Sequence, residues 1–339
     1  MTYRAVRIDE NPLKYFLQEH TSDSQFLQVA DIVLRENKDP REIFAHMIRI
    51  ATGSKWSHSA IISLLSDSYK GFNNTFLVEA MTKGIRIASW RNEVVPFDQF
   101  TVGIKRPRLD WYVETEYERS RHDPSDPEDT HGVGYLRHVR GIAIDQLSGL
   151  YDKKTVFELT ALFARRVAKR HLQAVPQVAE AADALANMFK KEDEDEYDMT
   201  NILRFVCSGL VQYSFFEALR RRIMNAFDIP AHREVAEQNL QNMHRVVFRD
   251  DPEGIIADYI HQLQIGKLDI HDSAPEEVLD LLKTALPADF NDSPNLEWRY
   301  VILKGAVWRI EETTNVYQPQ SDDEKEILAL LAVEKSSAQ

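Results

Sequence analysis

The chain has 339 residues, of which 43% are hydrophobic and 28% are charged. This composition excludes a predominantly disordered protein, and a single cysteine, Cys207, excludes a scaffold held together by internal disulfides. A net charge of −13 argues against nucleic acid as the main partner, because phosphate binding needs a positively charged surface.

The sequence also bears on location. No stretch approaches the roughly 18 apolar residues of a spanning helix. Residues 1–10 are charged and lack the apolar segment of a signal peptide. We therefore expect a cytoplasmic protein without an integral membrane segment, and the sequence leaves its oligomeric state open.

The first third of the chain is predicted to be rich in strands. A short helical pattern lies in an N-terminal extension, and a strand pattern at 30–34 and a helical pattern at 41–50 follow it. Four further strand patterns are expected to form a short antiparallel meander, at 59–65, 75–80, 84–88 and 102–106. Residues 110–134 are polar and contain two prolines, so we predict a loop or an insertion there.

The rest of the chain is predicted to be mainly helical. Helical patterns occur at 155–175, 178–189, 205–227, over parts of 230–290 and at 324–333. The charged run at 190–196 is interpreted as solvated. A strand pair at 298–303 and 306–310 surrounds Gly305.

We divide the chain into three parts. Residues 1–27 are a helical extension, and residues 28–225 are a core with an insertion at about 107–140. Residues 226–339 are a helical addition, whose final strand pair is expected to pack on the core.

Cys207 is the first candidate for chemistry. If a helix begins near it, the backbone N–H groups at the helix N-terminus lower the pKa of the thiol and favour the thiolate. The amide of Cys207 could then help to hold an oxyanion. Taken alone, its apolar neighbours Phe205, Val206 and Leu210 favour a buried small hydrophobic residue instead.

His58 and Glu79 are the other two candidates. His58 begins one predicted strand and Glu79 ends the next, so antiparallel pairing would bring them close enough for Glu79 to orient the imidazole. Taken separately, a surface histidine and an edge glutamate are the simpler interpretation. Together with Cys207, they are the nucleophile, base and orienting acid that one mechanism requires.

These residues lie in segments that resemble the circularly permuted NlpC-type papain-like cysteine hydrolases, most closely the YiiX-like group. The segments are Ala30–Leu34, Ile48–Ile62, Val78–Ala80, Gly84–Arg86 and Phe205–Val211. In that superfamily the histidine strand and the strand of the third residue come first and the cysteine helix comes late, which is the order His58, Glu79, Cys207.

The resemblance implies an α+β fold, with an antiparallel sheet or half-barrel packed on the cysteine-bearing helix and with extra helical segments. It implies that Cys207 is the nucleophile, His58 the base and Glu79 the orienting residue. We place Tyr151, Ser208 and Trp56 near the oxyanion or the substrate.

The implied activity is thiol hydrolysis of an amide, in a small peptide or an acyl-amino acid, through a thioester and without a cofactor. One alternative is a lipid acyl hydrolase or acyltransferase, since related permuted members resemble lecithin:retinol acyltransferase. That activity would need an apolar channel, for which Phe215, Phe216 and Trp90 are candidates. An alternative of another class is a non-catalytic binding module, in which Cys207 is a core residue.

A metal or nucleotide site is not expected. His122, His131 and His138 are spaced by nine and seven residues, which matches no common zinc motif, so we interpret them as solvated loop histidines. The 12 glycines form neither of the common phosphate-binding fingerprints.

Overall fold

The computed structural model describes residues 2–9, 27–37, 48–49, 52, 54–64, 75–81, 84–90, 100–122, 130–147, 150–151, 204–205, 207–314 and 317–331. In this part of the chain, eight strands form one antiparallel sheet, and a parallel pair, β7 (Leu150–Tyr151) and β8 (Arg204–Phe205), lies outside it. The strands of the large sheet are β1 (Thr2–Asp9), β2 (Ile32–Asn37), β3 (His58–Leu64), β4 (Phe76–Met81), β5 (Gly84–Ser89), β6 (Phe100–Pro107), β9 (Leu296–Leu303) and β10 (Ala306–Thr313). Their order across the sheet is β1-β10-β9-β6-β2-β3-β4-β5.

The helices carry the second layer of the fold. They are α1 (Glu116–Ser120), α2 (Val133–Asp145), α3 (Cys207–Phe227), α4 (Arg233–Gln241), α5 (Ile255–Gln264), α6 (Glu276–Lys283), α7 (Pro287–Asp292) and α8 (Asp322–Leu331). Short 3-10 turns at Pro230–His232 and Met243–Val246 flank α4. The fold is therefore α+β, with an antiparallel sheet, as predicted.

Helix α3 organises this layer. It packs against α2, α4 and α6 on its flanks and against β3 and β4 of the sheet. All of its first fourteen residues are buried, which explains the apolar helical pattern at 205–227 in the sequence. Side chains alternate between the two faces of the sheet. Ile61 and Val78 pack in the same cluster as the residues of α3, whereas Ala60, Ile62 and Leu77 pack in a separate cluster.

The predicted four-stranded meander is wrong in its last strand. Strands β3, β4 and β5 are neighbours in sequence order, but β6 lies between β2 and β9 rather than beside β5. Residues 101–107 of β6 are all buried. A strand buried on both faces gains most from a central position with two neighbours, and a local pattern does not encode which neighbours these are.

The predicted loop or insertion at 110–134 is partly helical. It contains α1, which begins with a capping box between Thr115 and Glu118, and the start of α2. Helix α2 presents Tyr135, Leu136 and Val139 to the core next to α3. The insertion is therefore partly a helical layer, and its polar residues mark the outer surface of that layer.

The chain ends meet in the central sheet. Residues 2–9, which we placed in a helical extension, form β1, and β1 pairs with β10. Strand β9 pairs with β6, so the C-terminal strand pair continues the sheet of the core. Strands β1 and β10 are some 300 residues apart, so no local pattern in the sequence indicates that they pair. The division of the chain into an extension, a core and an addition therefore does not contain this pairing.

Other predictions are placed as follows. The helical pattern predicted at 324–333 corresponds to α8. The helical patterns predicted between 230 and 290 correspond to α4 to α7. The helical patterns at 155–175 and 178–189, the charged run at 190–196 and most of the pattern at 41–50 lie outside the described residues, as does the helical pattern near the N-terminus.

The close approach of α3 to α6 generates a stability prediction. A Cβ atom at Gly209 would overlap the backbone carbonyl oxygen of Lys283 in α6, and a backbone atom cannot move aside cheaply. We expect Gly209→Ala to lower the free energy of unfolding by about 1–3 kcal/mol, measured by urea unfolding.

Gly141 provides the matched control. It also lies inside a helix, α2, but a Cβ there meets nothing within 4 Å. Gly141→Ala should leave stability unchanged or raise it by up to about 1 kcal/mol. Equal stability of the two variants would contradict the close approach of α3 and α6.

Candidate active site

The structure brings together Cys207, His58 and Glu79, which are far apart in the sequence. Cys207 is the first residue of α3, His58 is the first residue of β3, and Glu79 lies in the neighbouring strand β4. Helix α3 packs on both strands, which puts its N-terminal turn beside the start of β3. The arrangement therefore depends on one helix-to-sheet contact and one strand pair.

Both oxygens of the Glu79 carboxylate are engaged. His58 Nε2 lies 2.7 Å from Glu79 Oε2, and Arg86 donates to Oε1 from Nε at 2.8 Å and from Nη2 at 2.6 Å. The side chain of Glu79 is 1% exposed and that of His58 is 13% exposed. Glu79 is thus a buried carboxylate held between an imidazole and a guanidinium.

Strand register explains this alignment. Glu79 is paired directly with Arg86 across β4 and β5, and Arg35 is paired with His58 across β2 and β3. Because side chains alternate along a strand, these four side chains lie on one face of the sheet. Four adjacent strands thereby place one carboxylate in a row with two guanidinium groups and an imidazole along that face.

The electrostatics favour an ionised triad. Burial would raise the pKa of Glu79, but hydrogen bonding to His58 and the charges of His58, Arg35 and Arg86 lower it to about 2. Burial would lower the pKa of His58, but the Cys207 and Glu79 side chains raise it to about 9 through charge and hydrogen bonds.

The pKa of the Cys207 thiol is also set by burial acting against charge and hydrogen bonds. Burial would raise its pKa, but the charge of His58 and a hydrogen bond from its ring lower it. The backbone N–H of Ser59 and the hydroxyl of Ser208 act in the same direction. The opposite shifts of the two pKa values favour a thiolate beside an imidazolium, and Nε2 of that ring faces Glu79, which leaves Nδ1 for the sulfur.

The three residues placed near the oxyanion or substrate have different surroundings. Ser208 is buried beside the sulfur, with its Oγ 3.7 Å from Cys207 Sγ. Trp56 is 1% exposed and donates its indole N–H to Asn291 Oδ1 at 2.9 Å, so its donor is used inside the core. Tyr151 lies in β7, which pairs with β8 just before Cys207.

The aromatic residues proposed to line an apolar channel are core residues. Phe215 and Phe216 are fully buried and contact Phe248 and Tyr259, respectively. Trp90 is equally buried, in the cluster on the opposite face of the sheet. Their burial is accounted for by packing, so they give no support to a lipid channel.

The histidines of the insertion are not all solvated loop residues, as we had interpreted them. His122 Nε2 lies 3.0 Å and His131 Nδ1 3.1 Å from the buried carboxylate of Glu114, which also accepts the N–H of Gly132. His138 lies in α2. Among the described residues, no group of three or more His, Cys, Asp or Glu could hold a metal ion.

Sequence reasoning missed Arg86, Arg35 and Ser59. Arg86 had a usable signal, since Met81 pairs with Gly84 in a tight hairpin, and counting two residues back and forward sets Glu79 opposite Arg86. Arg35 and Ser59 had no such signal, because their positions depend on the pairing of β2 with β3 and on the packing of α3.

Comparison of the chain with protein-family models and with curated proteins finds no match. Within the described residues, no helix is both long and apolar enough to cross a membrane.

The arginine on Glu79 generates a prediction about stability and pH. The pKa of Glu79 is held at about 2, below its ordinary 4.5, so the stabilisation from its charge is present above pH 4.5 and is lost as pH falls through about 2. In Arg86→Gln this pKa should rise. The variant should be less stable than the wild type at neutral pH and lose less stability between pH 4.5 and 2, measured by urea unfolding.

Arg309→Gln is the control for this experiment. Arg309 contacts Glu311 Oε1 from Nε and Nη2, as Arg86 contacts Glu79, and its side chain is 49% exposed against 47% for Arg86. The side chain of Glu311 is 38% exposed against 1% for Glu79, so this variant should keep the wild-type pH profile. Identical profiles for the two variants would contradict a special role of Arg86.

Proposed function

We propose that this protein is a cysteine hydrolase of the permuted NlpC type, similar to the YiiX-like group, that cleaves an amide of a small peptide or an acyl-amino acid. The observation that carries the proposal is the position of His58, which contacts the Cys207 sulfur on one side and the Glu79 carboxylate on the other. Nucleophile, base and orienting acid in contact are the set that thiol catalysis needs.

The first half-reaction begins from the ion pair. The Cys207 thiolate attacks the carbonyl carbon, forming a C–S bond and an oxyanion. The backbone N–H of Cys207 is one of the first amides of α3, which have no acceptor within the helix, so it is suited to stabilise that oxyanion. The His58 imidazolium then protonates the leaving nitrogen, the C–N bond breaks, and a thioester remains.

The second half-reaction returns the enzyme to its resting state. Neutral His58 takes a proton from water, and the hydroxide attacks the thioester carbon. The C–S bond breaks, the carboxylic acid leaves, and the thiolate and imidazolium form again. Glu79 keeps the ring in place throughout and stabilises its charged form, as its carboxylate is itself held by Arg86.

The charge arrangement argues against a non-catalytic module. Taking ionised groups out of water costs several kcal/mol each, and replacing buried charges by well-packed apolar residues is often neutral or stabilising. Strongly shifted pKa values of a histidine and a carboxylate beside a cysteine are typical of a functional site.

Alkylation of Cys207 by iodoacetamide tests the ion pair. We expect rapid labelling at about pH 6 in the native protein and labelling slower by roughly tenfold or more in His58→Ala, because the thiol pKa rises when the imidazolium is removed. The rates are measured by intact mass, and the single cysteine makes the product unambiguous. Equal rates in both proteins would contradict the proposal.

Acyl transfer tests the chemistry. Incubation with p-nitrophenyl esters of acyl-amino acids should release a burst of p-nitrophenol and add one acyl group, which is absent in Cys207→Ala. That variant should remain folded, at a cost of about 1 kcal/mol, whereas a pure core role of Cys207 would cost several. Loss of the acyl group to water indicates a hydrolase, and transfer only to an added alcohol would instead support an acyltransferase.

A further inference from the structure

Two buried serines lie beside the sulfur and are not used in the mechanism above. Ser59 follows His58 in β3 and Ser208 follows Cys207 in α3, and both side chains are fully buried. Ser59 Oγ donates to Ser208 Oγ at 3.1 Å, and Ser208 Oγ lies 3.7 Å from Cys207 Sγ. The two hydroxyls thus form a chain that ends at the nucleophile.

The direction of this chain follows from its members. Because Ser59 supplies the hydrogen of the first contact, the hydrogen of Ser208 is not used there. A thiolate has no hydrogen to donate, so Ser208 must be the donor in the contact with the sulfur. The backbone N–H of Ser59 is a second donor to the same sulfur.

We propose that Ser208 is a further catalytic residue, which donates its hydroxyl hydrogen to the Cys207 thiolate and stabilises the resting ion pair. Ser59 is a positioning residue, which holds the Ser208 hydroxyl in the donating orientation. This inference rests on the proposed thiol chemistry.

Within the described residues, one charged group acts directly on the sulfur. His58 is the charged group that acts on the thiol, and the charges of Glu79, Arg35 and Arg86 are directed at the carboxylate behind it. On the far side of the Cys207 turn, α6 meets α3 through the backbone of Lys283. The Ser208 hydroxyl is therefore a neutral donor to the sulfur, in addition to the charged His58.

The effect should be confined to the thiolate. A sulfur in a thioester carries no charge, so the hydroxyl has little to stabilise after acylation. A thiolate that loses a donor also becomes more nucleophilic as it becomes more basic. Removal of the donor should therefore reduce the thiolate fraction and raise the rate of the thiolate that remains.

The test follows the ultraviolet absorbance of the thiolate with pH in wild type, Ser208→Ala, Ser59→Ala and Ser214→Ala. Cys207→Ala serves as the blank, and this readout does not depend on reagent reaching a buried sulfur. Ser214 is the matched control, since it lies in the same helix, is fully buried, and bonds the carbonyl of Leu210 instead.

We expect the midpoint of thiolate formation to rise by about one pH unit in Ser208→Ala, which is about tenfold less thiolate below the midpoint. Ser59→Ala should shift it in the same direction by less, and Ser214→Ala should not shift it. Above the midpoint, Ser208→Ala should react with iodoacetamide about threefold faster than wild type.

A midpoint in Ser208→Ala equal to that in Ser214→Ala would overturn the inference. If Ser208→Ala fails to fold, a Ser59→Ala midpoint equal to that of wild type would overturn it instead. Either result leaves the proposed function standing, provided that His58→Ala raises the midpoint. A His58→Ala midpoint equal to wild type would contradict the proposed function itself.

Discussion

The buried carboxylate of Glu79 is the constraint on which the candidate site depends. Its two oxygens are held by His58 and Arg86, and an unpaired charge at this depth would cost several kcal/mol. The carboxylate therefore requires β3 and β5 to stay in register with β4. The carboxylate also raises the pKa of His58 and orients its ring toward Cys207. The register of β3, β4 and β5 therefore affects the pKa of the Cys207 thiol.

Helix α3 places the Cys207 sulfur beside His58. Its buried first turns allow Cys207 to meet both His58 and Ser59, which follow one another in β3. Gly209 lets α6 approach the backbone of the same turn, so the position of the cysteine is set from two sides. A helix held this tightly fixes the position of the Cys207 sulfur.

Part of the site could be predicted and part could not. His58 and Glu79 in two consecutive strand patterns and Cys207 in an apolar helix pattern are candidates because one mechanism requires all three together. Ser59 and Arg35 could not be found, because their roles arise from contacts with α3 and across β2 and β3. The position of β6 in the sheet was missed for the same reason, since strand partners are chosen by burial of both faces.

The sequence by itself determined the consecutive strands β3 to β5, an apolar helix over about 205–227 and the order of the three candidate residues. These depend on local periodicity and residue type. The tertiary structure alone decided that β1 and the C-terminal strand pair extend the sheet, that Arg35 lies at the site, and that two serines reach the sulfur. Each of these joins residues from separate elements, and such contacts are set by packing and charge pairing in three dimensions.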